Sequence, residues 1–209
     1  MARVFLLSPA SSNGRRARML CNEKSTMELA HALRTRKGAP LADVFAFLSG
    51  LYFRGKIAYA RAFAAPPAGA AGIHIITPSR GLQDPDTRIR LPDLYEFAAV
   101  PIDLAEERYR VPLERSARLL AEQLTAAPDP VVDVVLLGSI ASDKYVSILQ
   151  EIFGARLLFP SEFVGRGDMS RGGLLLRCAD DMQELHYIAL DGAIRHGARP
   201  PRLEKRVTR

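Results

Sequence analysis

The chain has 209 residues, 48% hydrophobic and 25% charged, a balance that suits one folded domain and argues against a disordered chain. No stretch approaches the ~18 consecutive apolar residues of a transmembrane helix, so no membrane partner is expected. The formal net charge of +6, mostly from arginine, and a pI near 9.6 point to an anionic partner, with nucleic acid first.

Arg3 to Ser8 (RVFLLS) predicts a first strand closed by the turn-like PASSNG. Its apolar run is too short for a signal-peptide core, which favours a cytoplasmic setting. Ser25-Thr26-Met27-Glu28 is a capping-box pattern opening a helix to about Arg36. Gly38-Ala39-Pro40 ends it, and Leu41, Val44, Phe45 and Leu48 mark one buried face of a second helix. Gly50 precedes LYFRGKIAYARAF, which carries Tyr52, Phe53, Tyr59 and Phe63 beside Arg54 and Lys56. Such aromatics either fill a core or stack bases while the cations hold phosphates.

A small-residue connector, Ala64 to Gly72, leads to a strand over Ile73 to Ile76. The polar stretch TPSRGLQDPDTRIRLPDL then resists both helix and strand, the usual mark of a functional loop. Leu113 to Leu124 has the period of an amphipathic helix. Pro128 to Pro130 ends a connection into the buried strand Val131 to Leu137. Ser142 is a candidate N-cap for a helix through Phe153. Arg156 to Phe159 and Leu174 to Arg177 read as the last core strands.

Strands alternating with helices predict a three-layer αβα domain with a central, mainly parallel sheet over residues 1–190. A basic, Pro-containing tail fills 191–209, and the protein is expected to be a monomer. In such sheets the loops at the strands' C-terminal ends form the ligand crevice. Here those loops are SPASSNGRR, TPSRGLQDPD, GSIASDKY and PSEFVGRGDMSRGG. Glycine-rich turns and arginines in them suit an anion such as the phosphates of DNA. Asp84 and Asp86, flanking Pro85, are candidate general bases or simply a turn, and the Asn13 amide is a second candidate to hold a water.

Several classes lack support. There is no Walker pattern, no GxGxxG after a strand and no G-x-S-x-G elbow, so no nucleotide cofactor or hydrolase elbow is expected. Cys21, Cys178 and the four histidines lack metal-ligand spacing, so no metal is expected and the cysteines read as reduced thiols. Arg166-Gly167-Asp168, the tripeptide of cell-adhesion ligands, is a chance match in a cytoplasmic protein.

Two family resemblances join these loops. Leu7 to Gly14, Val134 to Ala141 (VVLLGSIA), and Phe159-Pro160-Ser161 with the following Val164 to Gly173 resemble, in order, the water-activating loop, a core strand and the DNA-intercalating loop of the uracil-DNA glycosylase superfamily. That resemblance implies hydrolysis of the N-glycosidic bond of uracil in single- or double-stranded DNA, on a base taken out of the stack. It makes Asn13, Ser11 and Asp84 the catalytic candidates, with Ser8, Pro9, Ala10, Thr77, Ser79 and Phe53 around the base. Arg15, Arg16, Arg54, Lys56, Arg80, Ser161, Arg166 and Arg171 would hold DNA, with Met169 as the wedge. Phe159 stands where those enzymes place the histidine that stabilises the departing base.

Leu6 to Ser11 (LLSPAS), Arg54 to Tyr59 (RGKIAY), Gly81 to Asp86 (GLQDPD) and Gly165 to Arg171 (GRGDMSR) are similar to four motifs of the YaaA-type peroxide-stress proteins. That second resemblance implies DNA binding without cleavage.

Overall fold

In the computed structural model, residues 2–126, 131–201 and Leu203 are described. The Pro128 to Pro130 connection and much of the end of the tail lie outside them. The chain order is β1 (Ala2–Leu7), α1 (Arg15–Cys21), α2 (Glu28–Arg34), β2 (Ala39–Pro40), α3 (Leu41–Ser49), α4 (Leu51–Phe63) and β3 (Ile73–Ile76). It continues through β4 (Leu82–Gln83), β5 (Arg88–Ile89), α5 (Leu91–Ala99), α6 (Glu107–Ala126), β6 (Val132–Leu137), α7 (Val146–Phe153), β7 (Leu157–Pro160), α8 (Asp168–Asp180) and β8 (Tyr187–Ala189).

The main sheet has the order β4-β3-β1-β6-β7-β8. Its inner four strands, β3, β1, β6 and β7, are parallel, and the edge strands β4 and β8 are antiparallel. β1 and β6 are apolar on both faces because helices cover both sides. Phe5, Leu7, Val135 and Leu137 join a core with α1 to α5 and α8. Their alternates Val4, Leu6, Val134 and Leu136 pack with α6 and α7 on the other face. The architecture is thus α/β in three layers, and no helix among the described residues is long and apolar enough to cross a membrane.

Several local expectations are corrected. Leu174 to Arg177 is not a strand but part of α8, because the preceding glycines serve a helix crossing rather than a turn. A Cβ on Gly172 would sit 2.7 Å from the backbone of Leu51 and Tyr52, and one on Gly55 would sit 2.6 Å from Gly172 O. Only glycine lets α4 and α8 approach this closely. The partner of β7 at the edge is β8, a three-residue strand with no strong sequence signal. The long polar stretch is also more ordered than expected. It holds β4, β5 and the start of α5, where Pro92 occupies the first turn and the Asp93 carboxylate accepts Arg90 N at 2.6 Å. Ser25 does not cap α2, whose N-cap is Met27, and α7 starts at Val146, beyond Ser142. The short helix α1 carried no period long enough to announce it.

The described part of the tail lies against the segment leading into α8. Gly165, at φ 71°, leaves room for Ala198 O where a Cβ would stand at 2.1 Å.

Candidate functional site

From β1 the chain moves to one side, reaching β3, and later returns to β6 on the other side of β1. The loops leaving β1 and β6 therefore part, and a crevice opens between them at the strands' C-terminal ends. A cleft of about 630 Å³ lies there. Ser8 to Asn13 after β1 form part of its wall, with Ser139, Ser142, Lys144 and Tyr145 after β6. Ser49 and Tyr52 arrive from the α3–α4 junction, Phe97 to Ile102 from the end of α5, and Asp168 from the start of α8.

Ser8 lines this cleft, and the buried Lys56 side chain stands behind it. Lys56 Nζ donates to Ser8 O at 2.6 Å and to Ser8 Oγ at 2.9 Å. The ammonium also lies over the Tyr52 and Phe53 rings, 4.7 and 4.6 Å from their centroids. Lys56 is 1% exposed, and among the described residues no carboxylate lies within ion-pair distance of it. Burial brings its pKa down from 10.5 to about 7, with the charge of Asp168 acting in the opposite direction. Ser8 is 6% exposed and sits on the cleft wall. Since its oxygen accepts from Lys56, its own hydrogen is left for a ligand or for Tyr145 Oη.

Tyr145 Oη donates to Ser139 O at 2.8 Å. Gly138 makes the approach of Tyr145 to Ser8 possible, because a Cβ there would meet Tyr145 Oη at 2.7 Å and Ser8 Cβ at 2.8 Å. Asp168 is 70% exposed at its side chain and lies 3.6 Å from Arg171 Nη1. Burial raises the pKa of Tyr52, while the Arg171 guanidinium, which donates to Phe163 O, pulls the other way.

No protein-family model, curated protein or solved structure matches the chain. The reading of the site therefore rests on its own geometry.

Of the residues singled out in the sequence, Ser8, Pro9, Ala10, Ser11 and Asn13 meet on the cleft wall. Ser11 Oγ donates to Asn13 Oδ1 at 2.8 Å, which holds the amide in place. Lys56 stands directly behind Ser8 as its donor. Asp84 is elsewhere: its carboxylate accepts Asp86 N at 2.7 Å in a local turn, and Asp86 pairs with Arg61. Thr77 is fully buried and ties the turn by donating to Gly81 O, while Ser79 donates to Glu96. Phe53 is core, packed edge-on against Phe45.

The expected DNA-gripping cations are divided. Arg80 is bound to Asp93 and Glu96 at 2.6 and 2.5 Å, which holds both carboxylates below their ordinary range. Arg171 is buried, Arg166 donates to Glu162 O and Ser170 Oγ, and Arg16 donates to Phe47 O. Ser161 bonds to Glu162 and, through its backbone, to His186 O. Arg15 and Arg54 are exposed on α1 and α4. Met169, 69% exposed, is off the cleft, beside Arg199 and Pro200.

Tyr52, one of the aromatics expected either in the core or against a base, lines the cleft, as do Ser139, Lys144, Tyr145 and Asp168, which were not singled out for it in the sequence. For Ser139, Lys144 and Tyr145 a signal existed, since GSIASDKY leaves a central strand. For Asp168 the signal was masked by the resemblance of RGD to an adhesion tripeptide and by the strand expected after it.

Proposed function

We propose that the protein is a base-excising hydrolase that takes one nucleoside unit of a DNA strand into the cleft between the β1 and β6 loops. The single observation behind this reading is Ser8, backed by the buried Lys56 amine, on a cleft wall that also includes Asp168. The bond between the sugar C1′ and the base nitrogen breaks, and its electron pair leaves with the base. Ser8, held by the Lys56 ammonium, donates a hydrogen bond to the base as negative charge builds on it. This fills the role left open by Phe159, which is wholly buried in the core. Asp168 stabilises the cationic sugar and takes the proton of the water that adds to C1′. Lys144, on the cleft wall, faces the adjoining phosphate. The setting in this reading is cytoplasmic, with both cysteines as thiols.

The test is incubation with uracil-containing single- and double-stranded oligonucleotides, then alkali. Strand breaks at the uracil positions are expected, and Ser8→Ala or Asp168→Asn should reduce them at least about 100-fold. No breaks above background with the natural protein would overturn the enzyme reading. Binding without cleavage is a second reading, favoured by the absence of any carboxylate from the Ser8 to Asn13 loop. Retained binding with no breaks would select it.

A further inference from the structure

The cations that carry the net charge are not concentrated around the cleft. A second groove of about 280 Å³ lies between the end of α2 and the start of α5, lined by Leu33, Arg34, Thr35, Arg36, Arg90, Leu91 and Pro92. The small ribbon of β2 and β5 brings its charges together, since Ala39 pairs with Ile89 and Pro40 with Arg88. Gly38, at φ 63°, lets the chain after Arg36 and Lys37 close onto Ile89 O and the Arg90 side chain. Arg36, Lys37, Arg88 and Arg90 are all exposed. Among the described residues none of their four side-chain cations forms an ion pair within 4.0 Å, unlike Arg80, Arg108, Arg110 and Arg118, and Asp93 meets Arg90 only at its backbone N.

Helix α5 links this groove to the cleft. Leu91 and Pro92 line the groove, and Ala98 and Ala99 line the cleft. These pairs are seven residues apart, which is two turns and so the same side of the helix, at a separation of roughly 10 Å. Tyr95 lies between them on that side and is 51% exposed. Asp93 and Glu96, the acidic residues of α5, are occupied by Arg80.

We propose that α5 is the track for a single nucleic-acid strand: the Arg36, Lys37, Arg88 and Arg90 cluster holds its phosphates, and Tyr95 stacks one base on the way to the cleft. A cationic groove followed by an exposed aromatic is what sequence-tolerant binding of single strands requires. The roughly 10 Å between groove and cleft is short enough for one strand to engage both. The inference rests on the base-excision reading for what enters the cleft, but the binding it predicts is measured without any cleavage.

The test is fluorescence anisotropy with a fluorescein-labelled 20-mer of thymidylate over a series of salt concentrations. The natural protein should bind with an affinity that falls as salt rises. Arg36→Glu, Lys37→Glu and Arg90→Glu together should weaken binding more than about tenfold and flatten the salt dependence. Tyr95→Ala should weaken binding at least about fivefold and leave the salt dependence unchanged. Arg108→Glu, Arg115→Glu and Arg118→Glu on α6 alter net charge equally and should have a much smaller effect. Circular dichroism confirms that each variant is folded. Equal loss in the two triple variants, or no loss in the first, overturns the track, as does binding only to phosphatidylserine vesicles. Groove-dependent binding with no base release keeps the track and removes the base-excision reading. Base release that is insensitive to the groove variants does the reverse.

Discussion

Lys56 contributes opposite effects to stability and to the proposed chemistry. Its pKa in the folded chain lies near 7, against an ordinary 10.5, because burial penalises the ammonium. Between these values the unfolded chain holds a proton that the folded chain does not, so stability rises with pH across that window and the penalty is fully present below pH 7. Lys56→Met removes this contribution. Urea titrations from pH 6 to pH 9 should therefore show the natural protein gaining a few kcal/mol relative to the variant as pH rises. Parallel curves for the two proteins would mean that Lys56 keeps its proton throughout. Base release depends on the opposite form, since Ser8 needs the ammonium behind it to meet a departing anion. Residue 56 is thus least costly to the fold where it is least useful to the reaction.

At the scale of elements, the crossing of α4 and α8 holds the site together. Tyr52 and Lys56 come from one helix and Asp168 and Arg171 from the other, and Gly55 and Gly172 bring the two backbones into contact. Gly172→Ala places a methyl group against the Leu51 and Tyr52 backbone, so it should destabilise the fold by about 1–3 kcal/mol, read as a lower thermal midpoint. An unchanged midpoint would mean that the helices separate without cost. This crossing also shows where the sequence was legible. The strands β1, β3, β6 and β7 were readable from continuous apolar runs, and the parallel sheet pointed to the loops after β1 and β6, between which the cleft lies. Gly172-Gly173-Leu174-Leu175 was not readable, because a glycine pair before a short apolar run has the same appearance at a turn and at a helix contact. That ambiguity hid Asp168. Arginines were equally ambiguous: Arg80 and Arg171 sit on polar stretches, yet only tertiary packing decides that Asp93, Glu96 and Phe163 O occupy them.

For the molecule as a whole, the two cores share β1 and β6, with alternate residues of each strand facing opposite layers. One layer therefore cannot be lost while the other persists, and unfolding is expected in a single step. Tyr52 and Tyr59 report one layer, Tyr109 and Tyr145 the other. Tyrosine fluorescence and far-ultraviolet circular dichroism should give coincident urea transitions, whereas an early fluorescence change would reveal a separable layer.

The position of β1 has a further consequence for how the protein is made. β1 precedes one of its two parallel neighbours, β6, by all of α1 to α6, so β6 follows only after those helices have been synthesised. Until then one edge of β1 is without its native partner, a delay typical of sheets built from distant segments. The nascent chain thus carries Ser8 and Lys56 without the β6 loop or Asp168 until the start of α8 has been made, and only then can the cleft close around them.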